Sequence, residues 1–141
     1  MENYNLFLDD FREPVDAFNY TKDTDFNLLK WTIVRNYREF VYYIKQMHEA
    51  GHFPRMIAFD HDLAEGHYHK NMQQGKLNYD TKDFEDDDNK TGYHCAKWLV
   101  EFCIENKLKF PDYKVHSMNP VGKENIKSYI ESAKRHIEIL N

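Results

Sequence analysis

Two short acidic clusters have the residue types and spacing of a metal and phosphate site. Asp9 and Asp10 are adjacent, and Asp60, His61 and Asp62 form a second group further along the chain. Carboxylate oxygens that converge can hold a hard cation such as Mg²⁺ or Mn²⁺, and histidine exchanges protons near neutral pH. The simplest alternative is that each cluster is only a polar turn.

Each acidic cluster directly follows an apolar run that predicts a buried strand. Residues 5–8 precede the first cluster, and residues 56–59 precede the second. In an open parallel sheet, the carboxyl ends of the strands face the crevice in which ligands bind. The shared strand-end position therefore favours one common site over two unrelated turns.

Short apolar runs alternate with amphipathic helical patterns, which indicates an α/β domain built from βα units. The predicted strands cover residues 5–8, 29–35, 56–59 and 113–116. Asn36, with Glu39 in a capping box, and Thr91 are suited to begin helices after the second and third strands, and an apolar stripe up to Leu140 predicts a last helix. Pro14 and many polar neighbours make helix formation between the first two strands doubtful.

Right-handed crossovers then predict a three-layer α/β sandwich with a four-stranded parallel sheet of order 2-1-3-4, which is the flavodoxin-like order. The two central strands are those that carry the aspartates. The fourth strand brings His116, Ser117 and Asn119 to the same edge of the sheet. No sequence is left for a fifth strand.

Composition limits the classes of protein that need to be considered. The chain of 141 residues is 41% hydrophobic and has a net charge of −5, which suits one domain, residues 1–141, and argues against non-specific binding to duplex DNA. No apolar run approaches the roughly 18 residues of a membrane span, and no signal peptide is evident. We therefore expect a cytoplasmic protein with no membrane partner.

Two further features of the sequence are a polar stretch and a pair of cysteines. Residues 64–90 predict a long loop or lid. Cys95 and Cys103 are expected to be buried free thiols.

The acidic residues favour metal-assisted phosphate chemistry. The expected metal ligands are the strand-end carboxylates Asp9, Asp10 and Asp60, with Asp62 as an alternative to Asp60. A bound Mg²⁺ or Mn²⁺ would polarise a phosphate oxygen and lower the pKa of a bound water. The departing sugar oxygen needs an acid, which His61 or His116 could provide, with Asp62 as a further catalytic candidate. Either histidine could instead be structural, His61 as an exposed ring in an acidic turn and His116 as a satisfied core residue.

Other polar side chains near the same edge are candidates for binding phosphate. They are Arg12, Arg35, Thr91, Ser117, Asn119 and Lys123. Arg12 and Arg35 follow the first two strands, where a planar guanidinium can grip phosphate oxygens, although each could equally form a surface ion pair. Ser117 and Asn119 could instead simply cap the last helix.

Four segments together resemble the family of cyclic-phosphate-processing receiver-like domains. They are LFLDDFREP at 6–14, FDHDL at 59–63, TG at 91–92 ahead of CAKWL, and HSMNPVGKENI at 116–126. The resemblance implies a derivative of the phosphorelay receiver fold and a role in processing cyclic phosphates in RNA repair or nucleotide metabolism. It matches Asp9 and Asp10 to the acidic pair that binds Mg²⁺ in receivers. It also matches Asp60 to the phospho-acceptor and Ser117 to the hydroxyl that follows strand four.

The fifth strand of a receiver, with its lysine, has no counterpart in this sequence. Lys123 lies early in the last helix and could not take that place without a different chain path. His61 and Asp62 also replace the apolar residues that usually follow the acceptor. Ordinary two-component signalling is therefore disfavoured.

The sequence favours a metal-dependent phosphoesterase that acts on a cyclic phosphate of a nucleotide, an ADP-ribose derivative or an RNA end, with Mg²⁺ or Mn²⁺ as the cofactor. A non-catalytic receiver-like module that binds the same kind of small phosphorylated ligand fits the same residues, and only turnover separates the two. A metal-independent phosphoesterase using His61 and His116 is the third possibility. Neither histidine has the His-x-Thr/Ser context of two-histidine phosphoesterases.

Overall fold

The computed structural model describes residues 3–63 and 90–140, and these residues form four strands and five helices. In chain order they are β1 (Tyr4–Leu8), α1 (Pro14–Thr21), α2 (Asp25–Leu28), β2 (Thr32–Val34), α3 (Tyr37–Glu49), β3 (Pro54–Phe59), α4 (Gly92–Asn106), β4 (Asp112–Val115) and α5 (Pro120–Leu140). Apart from Lys90, the loop or lid expected at residues 64–90 lies outside the described residues.

The strands form one parallel sheet with the order β2-β1-β3-β4. This confirms the order expected from the sequence. After three of the strands, the next residue donates one more backbone hydrogen bond to the adjacent strand. Asp9 N–H donates to Val34 O at 3.2 Å, Asp60 N–H to Leu8 O at 3.1 Å and His116 N–H to Phe59 O at 2.9 Å. The backbone of the three strand-end residues is thus fixed by the sheet itself.

Helices cover both faces of the sheet, which gives three layers. Leu6 and Leu8 of β1 point to the face that packs against α3, α4 and α5, where Phe40, Leu99 and Ile130 are fully buried. Successive side chains of a strand point to opposite faces, so the intervening Phe7 lies on the other face. There it packs with residues of α1 and α2. Burial on both faces explains the nearly continuous apolar sequence of the central strands.

The helices between the first two strands differ from the sequence-based expectation, which was wrong in doubting them. Pro14 occupies the first turn of α1, where its missing N–H costs nothing and its fixed φ suits a helix. Glu13 and Asp16 form a capping box, with the Glu13 N–H donating to Asp16 Oδ2 at 2.8 Å. The proline therefore starts the helix.

Smaller differences concern element ends. The second strand covers Thr32–Val34 and is shorter than residues 29–35. Asn36 Oδ1 accepts from Glu39 N–H at 2.8 Å, whereas the Glu39 carboxylate accepts from Arg35 N–H, so the expected capping box is only half formed. The apolar stripe of α5 does not reach its end, since Leu140 is 54% exposed.

The two cysteines and the helices of the described residues can be compared with the expectations from the sequence. Cys95 and Cys103 are both buried and free, as expected from their positions on one face of α4. Within residues 3–63 and 90–140, none of the helices combines the length and apolar character that crossing a membrane requires.

Candidate metal and phosphate site

Asp9 is a buried carboxylate whose oxygens are held by several donors. Its Oδ1 accepts from the backbone N–H of Phe11 at 3.1 Å and of Arg12 at 2.9 Å. Its Oδ2 accepts from Nε2 of His116 at 3.1 Å. Burial raises the pKa of Asp9, but the hydrogen bonds from His116, Arg12 and Phe11 outweigh burial and hold the pKa below its ordinary value. Asp9 is therefore ionised at neutral pH.

His116 lies behind Asp9, inside the protein. Its ring stacks on Phe7 at a centroid distance of 4.5 Å and meets the edge of Phe26 at 5.8 Å. Burial lowers the pKa of His116, so we infer a neutral ring whose Nε2–H donates to Asp9. Its Nδ1 is buried without a hydrogen-bond partner among the described residues. This geometry makes His116 a positioning residue for Asp9.

Asp60 is a buried carboxyl group whose pKa is raised above its ordinary value. It is 2% exposed, and its Oδ1 accepts from the N–H of His61 at 2.9 Å. Burial and the nearby charges of Asp9 and Asp10 raise the pKa of Asp60 to about 7, although Arg12 opposes the shift. Ionised Asp60 is therefore disfavoured first by burial and then by repulsion from Asp9 and Asp10, which Arg12 only partly offsets. A divalent cation would offset this repulsion.

A pocket of about 190 Å³ opens at this edge of the sheet. It is lined by Asp10, Arg12, Asp60, Asp62, Met118 and Asn119. Asp9, Asp60 and His116 each have a ligand atom within 4.8 Å of those of the other two, but only Asp60 of these three lines the pocket. Asp10, Asp60 and Asp62 are therefore the carboxylates that could contact a metal ion in the pocket, with Asp9 close to Asp60. Such oxygen ligands fit Mg²⁺ or Mn²⁺.

Arg12 provides the positive charge that lines this pocket. One guanidinium nitrogen lies 3.9 Å from Asp9 Oδ2, and another lies 3.4 Å from Sδ of Met118. The guanidinium carbon is 4.8 Å from the ring centroid of Phe11 and 5.4 Å from that of Tyr20. These contacts hold the planar group at the pocket, where it can bind phosphate oxygens.

Asp62 connects His61 to the start of α5. Its Oδ1 lies 2.9 Å from Nδ1 of His61 and accepts from the side-chain amide of Asn119 at 3.2 Å. Asn119 Oδ1 in turn accepts from Gly122 N–H at 3.0 Å, and Ser117 Oγ accepts from Asn119 N–H at 3.1 Å. Ser117 and Asn119 thus shape the first turn of α5, and Asn119 does so while lining the pocket.

Two glycines allow the helices to approach the second acidic cluster. A Cβ atom on Gly92 would lie 1.7 Å from the carbonyl oxygen of Asp60, and one on Gly122 would lie 2.4 Å from Cγ of His61. Gly92 N–H also donates to His61 O at 2.9 Å. Only glycine permits such close contact. The starts of α4 and α5 are therefore fitted to the backbone of Asp60 and the ring of His61.

A second and larger pocket, of about 660 Å³, lies on the other side of His61. Its wall combines His61 with residues from the start of α4 and the first half of α5, namely Thr91, Tyr93, His94, Asn125, Ser128 and Tyr129. Sequence reasoning did not identify this pocket. The only signal was that polar and aromatic residues begin two helices that flank the acidic cluster.

Three residues expected to bind phosphate have other positions. Arg35 donates to Arg12 O at 2.6 Å and forms an ion pair with Glu13, so it braces the loop between β1 and α1. Lys123 is exposed in the first turns of α5 and lines neither pocket. Thr91 caps α4 by accepting from Tyr93 N–H and faces the larger pocket.

The fold and the strand-end acids define a receiver-like α/β domain whose four-stranded sheet has the order β2-β1-β3-β4. The sequence model of the family described as the cyclic-phosphate processing receiver domain matches residues 4–132. The chain belongs to this family. A search of curated proteins found no match, and a search of solved structures also found none.

Proposed function

We propose that this domain is a metal-dependent phosphoesterase that opens a cyclic phosphate on a nucleotide, an ADP-ribose derivative or an RNA end. The observation that carries the proposal is the convergence of Asp10, Asp60 and Asp62 with Arg12 in one pocket, where burial and the charges of Asp9 and Asp10 raise the pKa of Asp60 to about 7. The family's name, cyclic-phosphate processing receiver domain, indicates the class of substrate. The small phosphorylated ligand would bind at the pocket of about 190 Å³.

The carboxylates Asp10 and Asp60 would hold Mg²⁺ or Mn²⁺, with Asp9 close to Asp60. When bound, the metal ion would polarise a phosphate oxygen and make a bound water more acidic. Arg12 would bind the remaining phosphate oxygens, because its guanidinium lines the same pocket. Opposite charges on the two sides of the pocket would thus orient the phosphate.

Hydrolysis of the ring forms a bond from water oxygen to phosphorus, with release of one water proton to the solvent, and breaks the bond from phosphorus to one sugar oxygen. That sugar oxygen must gain a proton, and His61 is the proposed donor. Asp62 holds Nδ1 of His61 at 2.9 Å, which leaves Nε2 as the atom that can exchange a proton with the substrate. Burial behind Asp9 makes His116 the weaker candidate for this step.

Turnover of a compound panel tests the proposal. Nucleoside 2′,3′-cyclic monophosphates, an ADP-ribose cyclic phosphate and a short RNA with a terminal cyclic phosphate would be incubated with Mg²⁺, Mn²⁺ or EDTA. We expect metal-dependent opening of at least one compound and a loss of about 10²-fold or more in Asp10→Asn, since the metal ion contributes several kcal/mol to catalysis.

The matched control is Asp112→Asn, an exposed acid at the opposite end of β4, which should keep wild-type turnover. Turnover that survives EDTA would refute metal dependence. Tight binding without turnover would refute the enzyme and identify a receiver-like module that sequesters its ligand.

A further inference from the structure

The geometry points to the larger pocket as a nucleoside subsite, which receives the base and sugar that carry the cyclic phosphate. The inference rests on the proposed function for the position of the phosphate, and it narrows the substrate class to compounds with a nucleobase next to the cyclic phosphate. The pocket volume of about 660 Å³ lies within the range of small-molecule sites.

The aromatic part of the pocket suits a flat ring. Tyr93 and Tyr129 have centroids 5.4 Å apart and planes inclined by 63°, so one ring presents its edge to the face of the other. Both side chains are only partly buried and line the pocket. Aromatic side chains of this kind bind nucleobases by stacking, at about 1–3 kcal/mol per base.

The polar part of the pocket carries neutral hydrogen-bonding groups. Asn125 and Ser128 are exposed on one face of α5, and the Asn125 amide makes no side-chain hydrogen bond to any other residue in 3–63 and 90–140. His94 Nδ1 accepts from Thr91 N–H at 3.0 Å. No Asp, Glu, Lys or Arg of the described chain lines this pocket. Such groups suit the edges of a base and the hydroxyls of a sugar, and Lys97 Nζ lies 5.8 Å from the ring centroid of Tyr93, outside the pocket lining.

The two pockets are joined by consecutive residues. His61 lines the larger pocket, while Asp60 and Asp62 line the smaller one. Consecutive Cα atoms lie about 3.8 Å apart, so the two pockets are close enough for the phosphate of one nucleotide to reach the smaller pocket and its base the larger one. The sugar oxygens would then lie near His61, where the proposed proton transfer takes place.

The experiment compares substrates with and without a base. Steady-state kinetics would be measured for the 2′,3′-cyclic monophosphates of adenosine, guanosine, cytidine and uridine and for glycerol cyclic phosphate, which has no base. In Tyr93→Leu we expect KM to rise at least about fivefold for the best nucleotide, with no change for glycerol cyclic phosphate. Asn125→Ala, at an exposed position, tests the same pocket if Tyr93→Leu folds poorly. Tyr42→Leu, at a tyrosine 64% exposed on α3, is the matched control.

The outcomes separate this inference from the proposed function. If nucleotide and glycerol compounds are processed alike and neither Tyr93→Leu nor Asn125→Ala discriminates between them, the nucleoside subsite is refuted and the phosphoesterase stands. If nothing is turned over, dissociation constants replace KM. Weaker nucleotide binding in both variants would then support the subsite without the enzyme. A trinucleotide with the same terminal cyclic phosphate distinguishes an RNA end from a free nucleotide as the ligand. Tighter binding of the trinucleotide than of the mononucleotide would indicate an RNA end, and equal binding would indicate a free nucleotide.

Discussion

Replacing Asp60 by asparagine should stabilise the metal-free protein, and the gain should grow with pH. The folded protein raises the pKa of Asp60 from 3.8 to about 7, so the folded state keeps a proton that the unfolded chain loses. The contribution of the Asp60 carboxyl to the free energy of unfolding is fully present below about pH 4 and is lost as the pH rises through 7. The difference of about three pH units corresponds to about 4 kcal/mol. Asparagine carries no charge and keeps an oxygen that can accept from His61 N–H.

Urea unfolding in EDTA, followed by fluorescence at several pH values from 4 to 8, measures this difference. We expect wild type and Asp60→Asn to be nearly equal near pH 4, and the free energy of unfolding of the variant to exceed that of wild type by up to about 4 kcal/mol at pH 8. Asp112→Asn, an exposed acid at the opposite edge of the sheet, should show no such pH-dependent gain.

A difference between wild type and Asp60→Asn that stays constant from pH 4 to 8 would refute the reasoning, because the predicted gain comes entirely from ionisation of this carboxyl. Adding Mg²⁺ provides a second check. The ion should stabilise wild type at pH 8 more than the variant, since it neutralises the charge that the variant lacks.

Three further predictions concern the metal, the proton donor and the fit of the helices. Millimolar Mg²⁺ or Mn²⁺ should raise the Tm of wild type and leave that of Asp10→Ala unchanged, which thermal melting can measure. His61→Asn should lower turnover by about 10²–10⁴-fold in assays where His136→Asn, at an exposed position of α5, keeps full activity. Gly122→Ala should displace the ring of His61, which lies within 2.4 Å of the added methyl, lowering turnover and costing about 1–3 kcal/mol of stability. Wild-type turnover in Gly122→Ala would mean that the position of His61 is unimportant.

The sheet and the meeting of the acidic clusters could be predicted because they follow from strand order. Once β1 and β3 are neighbours, Asp9 and Asp60 are fixed one residue past the ends of adjacent strands. The sequence patterns contain that information, since each apolar run ends where its aspartate begins. The helix at Pro14 was missed because a proline in a polar segment breaks a helix interior but also suits a first turn.

The orientation of individual side chains could not be predicted from these patterns. Both His116 and Asn119 follow β4, yet the ring of His116 turns inward onto Phe7 while Asn119 lines the pocket. Arg35 bonds to the carbonyl oxygen of Arg12, a partner that no spacing along the chain indicates. The larger pocket depends on how α4 and α5 pack together. The distance between these two helices is set by contacts between residues that are far apart in sequence.

The hydrogen bond between His116 and Asp9 joins residues 107 positions apart. During synthesis on a ribosome, β1 and β3 can pair long before β4 emerges, and Asp9 and Asp60 would then meet without the imidazole that orients Asp9. Asn119, which completes the wall of the small pocket, is made later still. A chain that stops short of β4 therefore has the acidic residues of the small pocket but lacks Met118 and Asn119, which complete its wall, and His116, which orients Asp9.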